Sequence, residues 1–355
     1  MVSTVTRDNT DEVERTGAPA RSPVPATAGA YLYGRGRPAA PPRFWTTDDF
    51  QDAQQLFGQA LATVGARPGD LVAIHLANPS VAWTVGTAVM AMAGRAWPVA
   101  GPPPGVPDVL VTDPWTALGW PARQAPRLVV LTESVGGMVP ALRERIREQW
   151  GNAPVIRSWY GLVDIPGPLA VECAEGALHG RRPGDDHGVT LEVAVGGDGP
   201  AGPLVITTTG PRVTALERWD TGDVARVVAC GCGHPGLALG DLERASDGIG
   251  LGPVAVSRTR LLSALFRTPG FGGAARVVVR RDRARGQDEL AITVSVTAGW
   301  DAAQVADAVA TSVAAVAHHR PRVAVDRDLL VPGVTVTDQR AHASTRAAHT
   351  RAPSA

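Results

Sequence analysis

The strongest constraint on the fold lies between residues 46 and 150, where short apolar runs alternate with amphipathic stretches of helical period. Thr46-Thr47-Asp48-Asp49 opens a helix whose apolar positions Phe50, Ala53, Leu56, Phe57, Ala60, Leu61 and Val64 fall on one face, with Thr46 or Thr47 as N-cap. The turn ARPGD at 66–70 hands the chain to a buried strand, LVAIHLA. A second helix spans about 80–93, and a short strand is expected at 97–100. GPPPGVP then breaks the chain before the strands DVLVT (108–112) and PRLVVLT (126–132) and the helix VPALRERIREQW. Strands alternating with helices in this way predict an α/β layered domain.

From about 187 the pattern turns to strands, VTLEVAV, GPLVITTT and VARVVAC. After Asp247 it changes again: a helix near 257–267, strands AARVVVRR and ELAITVSV, a long helix around 300–317, then VAVDRD and GVTVTD. That order fits a small ferredoxin-like α+β domain. The expected organisation is a disordered polar tail at 1–27, a large α/β domain at 28–242, a small C-terminal domain at 243–340 and a tail at 341–355.

Composition narrows the chemistry. Basic and acidic residues balance at 34 each, so no net charge draws the chain to nucleic acid or a membrane. No apolar run is long enough to span a bilayer and no signal-peptide pattern opens the chain, which leads us to expect a soluble cytoplasmic protein. Three cysteines, an odd number, do not suit a secreted disulfide framework. There is no lysine at all, which removes Schiff-base and phosphate-loop-lysine mechanisms.

One stretch resists explanation as packing. Residues 218–247, RWDTGDVARVVACGCGHPGLALGDLERASD, concentrate Gly, Cys, His and acids that a strand-rich core would not choose. Together with WYGLVDIPGPLAVECAEGALHG (159–180) and GPLVITTT, the order of features resembles the phenylacetate–CoA ligase branch of the adenylate-forming enzymes, over roughly residues 31–346. The resemblance implies a large domain, a hinge and a small mobile domain. It also implies joining an aromatic carboxylate to ATP as an acyl adenylate, then transfer to the thiol of coenzyme A.

Carried over residue by residue, the resemblance implies that Thr221-Gly222-Asp223 is a ribose-binding turn in which Asp223 accepts hydrogen bonds from ribose hydroxyls. A tight turn closed by Asp223 is the competing reading. Tyr160-Gly161 matches the adenine-covering position, and Asp164 stands where the family has a Mg²⁺-holding Glu, with a plain buried Tyr beside a solvated Asp as the competing reading. Arg244 and Asp247 match the hinge, where a surface ion pair is the plainer reading.

Three departures from the family pattern point to impaired adenylation. Against the phosphate loop TSGTTGKPT stands YLYGRGRPA at 31–39, which keeps Gly36 and Arg37 but has lost its hydroxyl side chains. Arg346 stands at the catalytic lysine, with a longer planar head. The family's N-terminal segment has no counterpart, so a partner protein, a homodimer mate or a separate polypeptide completing the site is expected over that side. A catalytically inactive homologue serving as a binding or scaffolding partner is the alternative to a weakened ligase.

The cysteines fall inside the matching blocks. Cys173, Cys230 and Cys232 with His179 supply three thiolates and one imidazole, a closed tetrahedral set suited to structural Zn²⁺. His234 could replace His179, and small buried thiols in a reducing compartment are the metal-free alternative.

Overall fold

The computed structural model describes residues 31–34, 43–101, 105–121, 125–132, 139–162, 165, 167–181, 188–194, 201–208, 216–245, 248–251, 254–282, 287–317, 320–329 and 333–338. The expected tails at 1–27 and 341–355 lie outside them. The chain divides into two compact units, Met1–Met138 with Arg147–Ser246, and Val139–Ile146 with Asp247–Ala355.

The larger unit opens with a hairpin of β1 (Tyr31–Gly34) and β2 (Arg43–Trp45), followed by helix α1 (Thr47–Val64). Thr46 is its N-cap: the Asp49 N–H donates to Thr46 Oγ1 at 3.1 Å, and the Thr46 N–H donates to Asp49 Oδ2 at 2.9 Å. This reciprocal pair satisfies two of the donors that a helix start leaves over. Gly65 ends the helix at φ +102°, a backbone that side-chain-bearing residues avoid. The apolar face of α1 is buried as its spacing requires, and Phe57 meets Trp159 edge-on at 5.3 Å.

Chain order then gives β3 (Leu71–His75), α2 (Pro79–Ala91), β4 (Arg95–Pro98), β5 (Val109–Thr112), α3 (Pro114–Gly119), β6 (Leu128–Thr132), α4 (Pro140–Gln149) and β7 (Val155–Tyr160). Strand β4 begins two residues before its expected start, and the short helix α3 had no periodic signal long enough to read. Next come β8 (Ala170–Glu172), β9 (Leu178–Gly180), β10 (Val189–Val193), β11 (Ala201–Thr208), β12 (Trp219–Val227) and β13 (Ala238–Arg244).

All but the first hairpin form one 11-stranded sheet, in the order β10-β11-β12-β13-β9-β8-β7-β6-β5-β3-β4. The half from β7 to β4 is parallel and built from helix-linked crossovers. The half from β10 to β7 is antiparallel and begins with β8 at Ala170, ahead of the change to strands expected near 187, because β8 and β9 are each three residues long.

The smaller unit carries the hairpin β14 (Ile249–Leu251) and β15 (Val254–Val256), then α5 (Arg258–Arg267), β16 (Phe271–Asp282), β17 (Gln287–Val296), α6 (Ala302–Ala317), β18 (Arg322–Val325) and β19 (Gly333–Asp338). Its four-stranded sheet runs β18-β17-β16-β19, with β16 and β17 antiparallel and both outer strands parallel to their neighbours. A large mixed α/β sheet followed by a small sheet is the two-domain plan expected from the sequence.

Candidate metal centre and nucleotide-contact residues

Two loops meet at one end of the antiparallel half-sheet. The first joins β8 to β9 and begins with Cys173; its turn is held by the Gly176 N–H on Cys173 O at 3.1 Å and the Cys173 N–H on Ala177 O at 2.9 Å. The second joins β12 to β13 and carries Cys230 and Cys232. Pairing of β13 with β9, Ala238 opposite His179, lays the second loop on the first hairpin. Residues 57 apart in sequence are thereby brought together.

The ligand atoms of Cys173, His179, Cys230 and Cys232 all lie within 4.8 Å of one another. Cys173 Sγ and Cys230 Sγ are 3.6 Å apart, and Cys232 Sγ is 3.2 Å from His179 Nε2. Zn–S bonds of about 2.3 Å and Zn–N bonds of about 2.0 Å at tetrahedral angles put such pairs roughly 3.8 and 3.5 Å apart. The four residues therefore fit a tetrahedral divalent ion. All three thiols are free, and a sulfur separation of 3.6 Å is far beyond a covalent bond.

Orientation of the imidazole agrees. His179 Nδ1 lies 3.3 Å from Gly236 O, so it carries the proton and donates, which leaves the Nε2 lone pair facing the thiols. His234 is arranged the opposite way, with Nδ1 accepting the Gly236 N–H at 3.2 Å. Of the two histidines weighed from the sequence, His179 belongs to the cluster.

Thiol acidity in the cluster is split. Burial pushes Cys173 up, but backbone N–H groups of Glu175 and Ala177 and the two neighbouring thiols outweigh it, and the thiol sits below its usual value. For Cys230 the Cys232 backbone N–H pulls downward, while desolvation and the Cys232, Cys173 and Glu175 side chains push it up to about 12. Crowded thiolates repel one another, and a bound cation removes that repulsion. Glu175 was missed from the sequence. Its Oε2 accepts the Gly231 N–H at 2.9 Å and lies 3.4 Å from Cys230 Sγ, and an acid two residues after a candidate ligand was the only available signal.

Gly236 explains how closely the loops approach. A Cβ there would overlap the Gly180 carbonyl oxygen, which is backbone and cannot swing aside. Gly236→Ala is expected to lift the second loop off the hairpin and weaken metal retention about tenfold or more, read by competition with a chromogenic chelator.

A second constellation surrounds Asp223. Thr221-Gly222-Asp223 lies within strand β12, not in a turn, with Gly222 at φ +74° bending the strand locally. This corrects the turn that both sequence readings placed at 221–223, the ribose-binding one and the one closed by Asp223 alone. The Thr221 hydroxyl donates to Leu204 O at 2.8 Å and accepts the Asp223 N–H at 3.1 Å. Asp223 is buried. Tyr160 Oη donates to its Oδ2 at 2.7 Å, and Arg244 Nε pairs with its Oδ1 at 2.9 Å. Arg244 is the cross-strand partner of Asp223 and also donates from Nη1 to Thr221 O at 3.3 Å.

The structure thus brings three residues from separate motif blocks into one hydrogen-bonded group. Tyr160 is only 1 % exposed and belongs to an apolar cluster with Ile165, Leu169 and Leu178, so the ring face expected to cover a base is packed inward. Gly161 follows directly after the end of β7, where an added Cβ would meet the 167–168 backbone at ordinary contact distance. Gly36, Arg37, Asp164, Asp247 and Arg346 lie outside the described residues.

No family model matches the chain, and no curated protein matches it in sequence. Solved structures do match. A 2-hydroxyisobutyryl-CoA ligase in complex with R3-HIB-AMP superposes with a TM-score of 0.75 at 17 % identity, covering 98 % of this chain and 82 % of that one. An anthranilate CoA ligase in complex with anthranoyl-AMP gives 0.57 at 17 % identity, over 89 % of this chain and 66 % of that one. The amide bond synthetase McbA from Marinactinospora thermotolerans gives 0.54 at 18 % identity, over 87 % and 68 %. The chain has the fold of these ligases. No helix among the described residues is long and apolar enough to cross a membrane.

Proposed function

We propose that the chain is an acid–CoA-ligase-like protein of the phenylacetate–CoA ligase type, directed at an aromatic carboxylate through an acyl adenylate, with its own adenylation step impaired. The fold shared with ligases that form acyl adenylates, one of them acting on anthranilate, supports the reaction class. The observation that carries the impairment is the closed Asp223 site. Both carboxylate oxygens engage protein donors and the side chain is 6 % exposed, so ribose hydroxyls must compete with Tyr160 and Arg244.

In this reading Gly36 and Arg37 meet the phosphates, Asp164 holds Mg²⁺, and Arg346 faces the charge developing on the α-phosphate. The smaller unit is the mobile ferredoxin-like domain, with Arg244 and Asp247 at its hinge. Cys173, His179, Cys230 and Cys232 hold Zn²⁺ with four protein ligands and no open position, which makes the ion structural.

A second reading is a non-catalytic homologue that serves as a binding or scaffolding partner. It is favoured by the same group, since Asp223 joins β7, β12 and the end of β13 as a staple would. ATP–pyrophosphate exchange over anthranilate, phenylacetate and 2-hydroxyisobutyrate separates the two. The ligase reading expects slow exchange that falls about 10–150-fold in Arg37→Ala, the range for one charge-assisted contact. Absence of exchange with every acid, on folded metal-loaded protein, leaves the non-catalytic reading standing.

A further inference from the structure

Two of the four candidate metal ligands also form a pair by themselves. Cys173 Sγ and Cys230 Sγ lie 3.6 Å apart, in van der Waals contact, although 57 residues separate them. A disulfide draws its sulfurs to about 2.05 Å, so a shift of roughly 1.5 Å closes the bond. The approach is set by parts of the chain other than the thiols. β13 lies beside β9 with Ala238 opposite His179, which fixes the second loop against the first. Glu175 then ties the loops directly, its Oε2 accepting the N–H of Gly231, the residue after Cys230, at 2.9 Å. Gly231 permits this, since an added Cβ would come to 3.4 Å from the Glu175 carboxylate.

The third thiol is engaged elsewhere. Cys232 Sγ lies 3.2 Å from His179 Nε2 and accepts the His234 N–H at 3.4 Å, so it is turned toward the imidazole side of the cluster. Access also differs between the paired sulfurs. Cys230 is half-buried, whereas Cys173 is 7 % exposed, so a small oxidant from solvent meets Cys230 first and Cys173 waits behind it. An accessible thiol beside a resolving one is the arrangement that forms disulfides on oxidation.

We propose that Cys173 and Cys230 are a peroxide-sensitive thiol pair whose oxidation to a disulfide expels the metal from the cluster. The proposal rests on the zinc reading for the expelled ion, while the bond needs only the two thiols. Hydrogen peroxide attacked by the Cys230 sulfur gives a sulfenic acid and one water. The Cys173 sulfur then displaces the hydroxyl, which leaves with a proton as a second water, and the S–S bond forms. Each sulfur gives up one electron, and the peroxide takes both electrons and two protons. Cys232 and His179 alone supply two of the four ligands of a closed site, so the oxidised chain releases Zn²⁺. The disulfide then fastens the two loops in place of the ion, and a dithiol reductant restores both thiols. Zinc content is therefore read on the reduced chain.

Stepwise addition of hydrogen peroxide to the full, reduced, metal-loaded chain tests the proposal. Peptide mapping after alkylation of the remaining thiols reads the bond, and a chromogenic chelator reads the metal. The wild-type chain is expected to give a Cys173–Cys230 cross-linked peptide with Cys232 alkylated. One zinc is expected to be released per bond formed, with metal binding recovered after dithiothreitol. Cys232→Ser is expected to form the same bond, whereas Cys173→Ser lowers the yield of any internal disulfide about tenfold or more. Oxidation of Cys230 to sulfinic acid without a cross-link, or a wild-type bond that runs through Cys232, overturns the proposal. A reduced chain that binds no zinc but forms the Cys173–Cys230 bond removes the zinc reading and supports the thiol pair.

Discussion

One zinc ion per chain is expected from elemental analysis of the purified protein, with a dissociation constant of about 50 nanomolar or tighter. Closed thiolate–imidazole sites bind with apparent free energies of about 10–16 kcal/mol near neutral pH. The Cys173–Cys230 and Cys232–His179 separations already match such a site, so little rearrangement opposes binding. Cys230→Ser is expected to weaken retention more than about a hundredfold, because a first ligand is lost where even outer-shell partners are worth 10–100-fold. Chelation is expected to free the 173–177 and 228–237 loops, read as new protease cleavage there, while the α1 face of the core persists. A folded chain that carries no metal, with both loops protected from protease, would sink the assignment.

Asp223→Ala is expected to be the most destabilising single polar substitution in the larger unit, at about 3 kcal/mol. Breaking a buried ion pair by removing one partner leaves the other charge uncompensated, and values of about 3–5 kcal/mol are usual. The lower end applies because the Arg244 side chain is 34 % exposed and water recovers part of the loss. Tyr160→Phe removes one hydrogen bond and keeps the ring, so about 1 kcal/mol is expected. Urea denaturation midpoints of the two variants measure both. If Asp223→Ala unfolds at the wild-type midpoint but loses nucleotide-dependent exchange, Asp223 serves chemistry and not architecture, and the non-catalytic reading loses its main support.

Most of the longer elements were legible because period and burial agree along them. α1 could be read to its N-cap, since capping-box chemistry and the 3.6 spacing are both local. The start of β4 was not legible, and neither were α3, β7, β13 and the short strands β1, β2, β8, β9, β14 and β15. A four-residue edge strand and a six-residue helix contain too few positions to show a period. Thr221-Gly222-Asp223 looked like a turn because Gly and Asp are turn residues, yet hydrogen bonding of Thr221 to Leu204 keeps it in the sheet.

The sequence by itself determined that three cysteines and two histidines of a kind able to hold a metal stand in the matching blocks, that lysine chemistry is absent, and that an α/β layered unit is followed by a smaller one. Those are matters of residue type and local period. Tertiary structure alone decided that His179 and not His234 faces the thiols, because the choice depends on which nitrogen the Gly236 backbone occupies. It also decided that Asp223 is enclosed by Tyr160 and Arg244. Pairing of β12 with β13, and the contact of β12 with the end of β7, joins residues 63 positions apart. No spacing in a sequence encodes that meeting, because it is fixed only when distant strands take their register in one sheet.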